Sequence, residues 1–182
     1  MTQNRKEAAR AVGLTKSDSQ LYYERGLSYF ANNKYEDAIV DLSEAIHYDQ
    51  GRAELYAARG YMYAIWGKAK KLPDKLEAAM VDLSHAVKLN KRLWFAHLTL
   101  GIIDFDNGQW SDALRHFTDA KEASPGHPEV WYYRAICHYK LGNLEKAVQD
   151  METALRWLKD DDKRQKDADK WLKEFRADQR KK

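Results

Sequence analysis

The chain has 182 residues, 44% hydrophobic and 32% charged, with a formal charge of +3. That length supplies one or two compact domains, no apolar run approaches the roughly 18 residues of a bilayer-spanning helix, and so small a charge does not by itself imply a nucleic-acid partner. The single cysteine, Cys137, excludes an internal disulfide framework and any multi-cysteine metal site.

Residue usage predicts an all-α protein. There are 23 Ala and 18 Leu against 6 Val, 6 Ile and 5 Thr, and only Pro73, Pro125 and Pro128 interrupt helical hydrogen bonding. At the N-terminus, Met1 to Gly13 carries Arg5, Lys6, Glu7 and Arg10 without an apolar stretch behind them. It does not read as a secretory signal, so a cytoplasmic location is expected. Residues 1–18 are an N-terminal extension, compatible with a short helix through Ala8, Ala9 and Val12 or with disorder.

From Ser19 onward the chain repeats itself. Tyr35 to Ile46 aligns residue for residue with Leu76 to Val87, and weaker copies begin at Trp110 and Leu144. The aligned alanines Ala38, Ala79, Ala113 and Ala147 lie 41, 34 and 34 residues apart. A second recurring segment, anchored at Gly26, Gly60, Gly101 and Ala135, precedes each at spacings of 34, 41 and 34. Two helices therefore recur four times. The pattern resembles the tetratricopeptide repeat (TPR) family, whose unit is 34 residues long. With repeat position 1 at Ser19, Ala53, Trp94 and Pro128, position 8 holds Gly26, Gly60, Gly101 and Ala135, and position 27 holds Ala45, Ala86, Ala120 and Ala154. Position 4 is aromatic in Tyr22, Tyr56 and Trp131, whereas His97 and, at position 11, Asp104 depart from the pattern in the third repeat.

The resemblance implies a right-handed α-solenoid of four helix-turn-helix repeats over residues 19–52, 53–93, 94–127 and 128–161. Small residues at positions 8, 20 and 27 let the paired helices approach closely. Asn33, Gly67, Gly108 and Gly142 at position 15 suit the left-handed conformation that ends a first helix. Position 7 is Arg25, Arg59, Leu100 and Arg134, and position 23 is Asp41, Asp82, His116 and Asp150. Arginine and aspartate occur together or not at all, which predicts an ion pair joining the two helices of three repeats.

The longer second repeat carries Lys68 to Asp74 as an insertion, expected in the turn between its helices. Its lysines Lys68, Lys70, Lys71 and Lys75 form a candidate basic finger for phosphate, an acidic protein or an anionic surface. A solvated loop is the alternative. Beyond the repeats, residues 162–182 are expected to form a capping helix, because Ala168, Trp171, Leu172 and Phe175 make one apolar stripe. Asp160, Asp161 and Asp162 suit its positive end, and Arg180, Lys181 and Lys182 its negative end.

No catalytic constellation is present. His47, His85, His97, His116, His127 and His138 are spread along the repeats without H-E-x-x-H spacing or accompanying carboxylates, which predicts no metal site. Cys137 is expected to be a buried, inert thiol. Neither an enzyme activity nor a cofactor nor a small-molecule substrate is expected.

In the family, positions 2, 5, 9 and 12 of each first helix face a shared groove. The resemblance places Tyr23, Leu27 and Phe30, then Tyr61, then Phe95, Leu98, Ile102 and Phe105, then Tyr132, Ile136 and Tyr139 along it. Co-chaperone members hold a peptide's terminal carboxylate with Lys, Asn and Arg, where this chain has Tyr23, Leu27, Ala58, Phe95 and Thr99. The expected role is therefore that of an adaptor holding an apolar or amphipathic segment of another protein, a peptide or a helix, in the groove. The competing readings are a structural or homo-oligomerisation module whose groove is self-filled, and nucleic-acid binding through the lysines, which the small charge disfavours. No membrane insertion is expected.

Overall fold

The computed structural model describes residues 16–158 and 163–181, and among them every regular element is an α-helix. Ala8, Ala9, Val12, Asp160, Asp161, Asp162 and Lys182 lie outside the described residues. The helices form two compact units, divided after Lys91.

In the first unit, α1 (Lys16–Ala31) and α2 (Tyr35–Tyr48) make one hairpin and α3 (Ala53–Lys70) and α4 (Pro73–Leu89) a second. Helix α2 packs on α3. Ala38, Leu42 and Ala45 are fully buried, and Ile39, Met62 and Leu55 close the core beneath Tyr22, Tyr23, Phe30 and Trp66. In the second unit, α5 (Trp94–Asp106) pairs with α6 (Trp110–Ala123), α7 (Pro128–Lys140) pairs with α8 (Leu144–Trp157), and α9 (Lys163–Gln179) packs on α8 and α7. Phe117 and Phe175 are its largest fully buried side chains.

The small residues sit where the helices touch. All eight alanines and glycines at positions 8 and 27 are buried, and the constraint is tightest at Gly101, where an added Cβ would lie 2.5 Å from the Phe117 ring. Three first helices end as expected, with Asn33 at φ 58°, Gly108 at φ 73° and Gly142 at φ 79°.

The second hairpin differs. Gly67 does not end α3; the helix runs on to Lys70, and Lys71 takes the left-handed conformation at φ 56°. Gly67 meets a different need, since a Cβ there would stand 3.1 Å from the Leu72 carbonyl oxygen and from Leu76. The insertion is consequently not a loop. Most of it is helix, a short turn at Lys71 and Leu72 follows, and Pro73 opens α4 at a position where its missing N–H has no helical partner to lose.

Candidate functional site

Each first helix carries two kinds of side chain that bear on function: polar groups aimed at its own second helix, and an apolar face aimed away from it. The polar groups form the expected pairs. Arg25 donates to both oxygens of Asp41 at 2.6 and 2.7 Å, Arg59 to Asp82 at 2.7 and 2.8 Å, and Arg134 to Asp150 at 2.7 and 2.6 Å. Their arginines range from 55% exposed at Arg25 through 21% at Arg59 to 11% at Arg134, while the aspartates are all buried.

The third hairpin replaces this clamp with a different cluster, and here the expectation of scattered histidines without carboxylates fails. His97 on α5 faces Asp119 on α6, Nδ1 to Oδ2 at 3.6 Å, and His116 on α6 lies 3.6 Å from Asp104 on α5. The two imidazole rings are 6.0 Å apart. Burial, with Arg115 and His97 nearby, pushes the His116 imidazole down to about 4, and burial raises the Asp104 carboxyl above its usual range with help from Asp112. The sequence separation hides this grouping. The signal that reveals it is internal: in the second hairpin Tyr56 and His85 occupy the positions of His97 and Asp119, and their rings are 4.4 Å apart.

On the apolar face, the first unit brings four predicted residues together. Phe30 and Tyr61 meet at 5.6 Å between ring centroids. Tyr23 lies under the Arg52 guanidinium at 4.9 Å, and Leu27 between Tyr23 and Phe30 is 40% exposed. In the second unit most of the face is already covered. Leu98 is buried against Val130 and Phe117, Phe105 packs on Trp110, Phe117 and Tyr133, Ile102 is half-buried against the same cluster, and the half-buried Phe95 meets the Trp94 ring edge-on at 5.8 Å.

The face of α7 is occupied by α9. Ile136 and Tyr132 are buried in one cluster with Ala168, Leu172 and Phe175, and Tyr139 stacks on Phe175 at 4.6 Å. Polar edges finish this contact: the Tyr132 hydroxyl donates to Asp167, and the Tyr139 hydroxyl to Asp178 at 2.6 Å and Glu174 at 3.1 Å. Burial first, and then the Asp167 bond, hold the Tyr132 phenol above its ordinary range. The apolar stripe of α9 was readable in the sequence, but Asp167, Glu174 and Asp178 were not singled out; their spacing of seven and four residues along the edge of that stripe is the signal that marks them.

The lysines of the insertion stand on helix ends and a short turn at the tip of the second hairpin rather than in a loop. Lys68 and Lys70 lie in the last turn of α3, where cations offset the negative end of the helix dipole, and Lys71 is its C-cap. Lys75 pairs with Asp74 at 3.1 Å and sits 5.0 Å over the Trp66 ring. Cys137 is fully buried, and desolvation pushes its thiol up to about 12. No helix among the described residues is long and apolar enough to cross a membrane.

Two tetratricopeptide-repeat family profiles match the chain, at residues 19–51 and 98–162. The four helical hairpins define a repeat protein of the helix-turn-helix class. The chain belongs to the tetratricopeptide repeat family. It is 29% identical over 137 residues to mouse tetratricopeptide repeat protein 33, covering 75% of this chain and 50% of that one. It spans half or less of the length of the curated relatives it matches. Among solved structures, the Pseudomonas aeruginosa pilF protein superposes with a TM-score of 0.73 at 16% identity, covering 91% of this chain and 70% of that one. The first TPR of Spaghetti (RPAP3), bound to the HSP90 peptide SRMEEVD, superposes with a TM-score of 0.61 at 21% identity over 70% of this chain and 95% of that one.

Proposed function

We propose that the protein is a non-enzymatic adaptor that holds an amphipathic helical segment of another protein against the first-helix face of its N-terminal unit, at Tyr23, Leu27, Phe30 and Tyr61. The tetratricopeptide fold supports a role in protein–protein interaction. One observation carries the finer reading: the equivalent face of α7 already receives an amphipathic helix, α9, through apolar packing with carboxylates placed on tyrosine hydroxyls. The face of α1 and α3 offers the same chemistry, an aliphatic centre at Leu27 among aromatic rings, with Arg52 at its edge. An exposed apolar residue among half-buried aromatics is the composition of an interface centre. The Lys and Asn side chains with which co-chaperone members grip a terminal carboxylate are absent from these positions, so a peptide of the kind bound by RPAP3 is not the proposed ligand.

The self-filled alternative has support in the second unit, where α9 occupies the face of α7. It assigns that face to stability and leaves partner capture to the first unit. The test is co-purification with the full chain carrying Leu27→Glu or, as a control, Val81→Glu on α4, where Val81 is 69% exposed. A partner recovered by the wild type and by Val81→Glu should be lost with Leu27→Glu. Retention by all three chains refutes the assignment of this face.

A further inference from the structure

The third hairpin is the one in which Arg and Asp at positions 7 and 23 are replaced, by Leu100 and His116, so α5 and α6 lack the bidentate pair that joins the helices of the other three. In its place stand groups that ligate metals. His97, His116 and Asp119 each bring one ligand atom within 4.8 Å of the others. The imidazoles are 6% and 14% exposed, whereas the Asp119 side chain is 41% exposed and opens the cluster to solvent.

We propose that His97, His116 and Asp119 form a site for a divalent transition metal of the zinc class, which ties α5 to α6 where the arginine–aspartate clamp is missing. Four features of the cluster select this ligand. Two imidazoles and one carboxylate suit zinc, nickel, cobalt or copper, and they do not suit magnesium or calcium, which take oxygen sets. Metal–ligand bonds of about 2.0–2.2 Å in a tetrahedron bring ligand atoms to about 3.3 Å from one another, so the present spacing has to close by at most about 1.5 Å. Asp104 stands 3.6 Å from His116 Nε2, in the place of a carboxylate that orients a ligating imidazole through its other nitrogen. Finally, Nδ1 of His116 is buried without a hydrogen-bond partner among the described residues, a desolvated ring nitrogen that a metal bond would satisfy.

Arg115 also reaches Nε2 of His116, at 3.2 Å. Metal binding at Nδ1 puts the proton on Nε2, which then donates to Asp104, and the Arg115 guanidinium turns away toward Asp112, 3.6 Å from it. Three protein ligands leave a fourth position to water. The site uses none of the residues of the proposed partner face and does not depend on its assignment.

The experiment uses the full chain, stripped with a chelator and dialysed, and titrated with Zn²⁺ by calorimetry and with Co²⁺ by visible absorption. One saturable equivalent is expected, with a Co²⁺ ligand-field band that Zn²⁺ displaces and a thermal transition that Zn²⁺ raises and Mg²⁺ does not. His116→Gln and Asp119→Asn should each weaken binding at least tenfold, while His85→Gln and His127→Gln leave it unchanged. Asp119 is the more exposed ligand, so Asp119→Asn keeps the test valid if His116→Gln loses helical content. Zn²⁺ binding unaltered by Asp119→Asn, or no saturable binding to the wild type at micromolar metal, overturns the proposal.

Discussion

Arg134→Ala would leave Asp150 with an 8% exposed side chain and, as its nearest cation-capable neighbour, His138 Nε2 at 3.8 Å. A buried pair broken from one side costs about 3–5 kcal/mol, because the remaining charge keeps its desolvation and loses its partner. Arg134 is 11% exposed and also lies 4.7 Å over the Trp131 ring, so some water reaches the vacated space and about 3 kcal/mol is expected. Replacing both residues, Arg134→Ala with Asp150→Ala, removes the stranded charge, and the double variant should lose less than the single. The coupling recovered from urea unfolding of the four chains should then be about 2 kcal/mol. The same single substitution should cost less at Arg59, which is 21% exposed, and least at Arg25, which is 55% exposed and screened by solvent. Zero coupling in the Arg134–Asp150 cycle, or Arg25→Ala as damaging as Arg134→Ala, would refute the reasoning.

Gly101→Ala drives a methyl group into the Phe117 ring, so overpacking of about 1–3 kcal/mol should outweigh the roughly 1 kcal/mol of helix propensity gained; a denaturation midpoint at or above wild type would contradict the close approach. Ending the chain after Leu158 uncovers Tyr132, Ile136 and Tyr139, and light scattering should report self-association at preserved helicity; a stable monomer would show that α9 is not a cap. His138 is held below the ordinary imidazole value by burial and by Arg134 and Lys146, against the pull of Asp150. Its neutral form is the native one, so its contribution is complete above the unfolded value near 6.5 and is lost as pH falls below it. His138→Gln should flatten that part of the melting temperature profile, and an unchanged slope would assign the acid sensitivity elsewhere.

The repeat is what made so much of this protein readable. Four copies of one hairpin act as an internal alignment, and the joint loss of Arg and Asp at Leu100 and His116 makes the three ion pairs legible in the sequence. The same comparison misled at Gly67. It shares a column with Asn33, Gly108 and Gly142, yet it is conformationally ordinary and small because Leu72 and Leu76 press on it, a pressure visible only in three dimensions. The inner face was legible as an apolar pattern, but a pattern does not say what covers it. Phe105 was expected on an open groove and is instead stacked among Trp110, Phe117 and Tyr133, and Tyr132 and Ile136 lie beneath α9. The histidine cluster escaped for a related reason: His97 and His116 are distant in sequence, and a hairpin joins them across its two arms.

The longer second hairpin carries a rule about length. Arg59 and Asp82 are 23 residues apart, whereas the equivalent pairs in the first and fourth hairpins are 16 apart, yet all three make the same two short bonds. Seven residues are close to two turns of helix, so shared between ascending and descending arms they add about one turn, or roughly 5 Å, to each. Every side chain below the addition keeps its facing, and the hairpin simply grows taller at its tip. Lengthening by a turn per arm is thus the step such a hairpin accepts without rewiring its seam. An insertion of three or four residues absorbed by one arm alone would leave that arm about one turn, roughly 5 Å, taller than the other, and the connecting turn would have to span the difference or pull Asp82 from Arg59. Length variation in this architecture is quantised by the helix pitch, with the second hairpin one quantum above the rest.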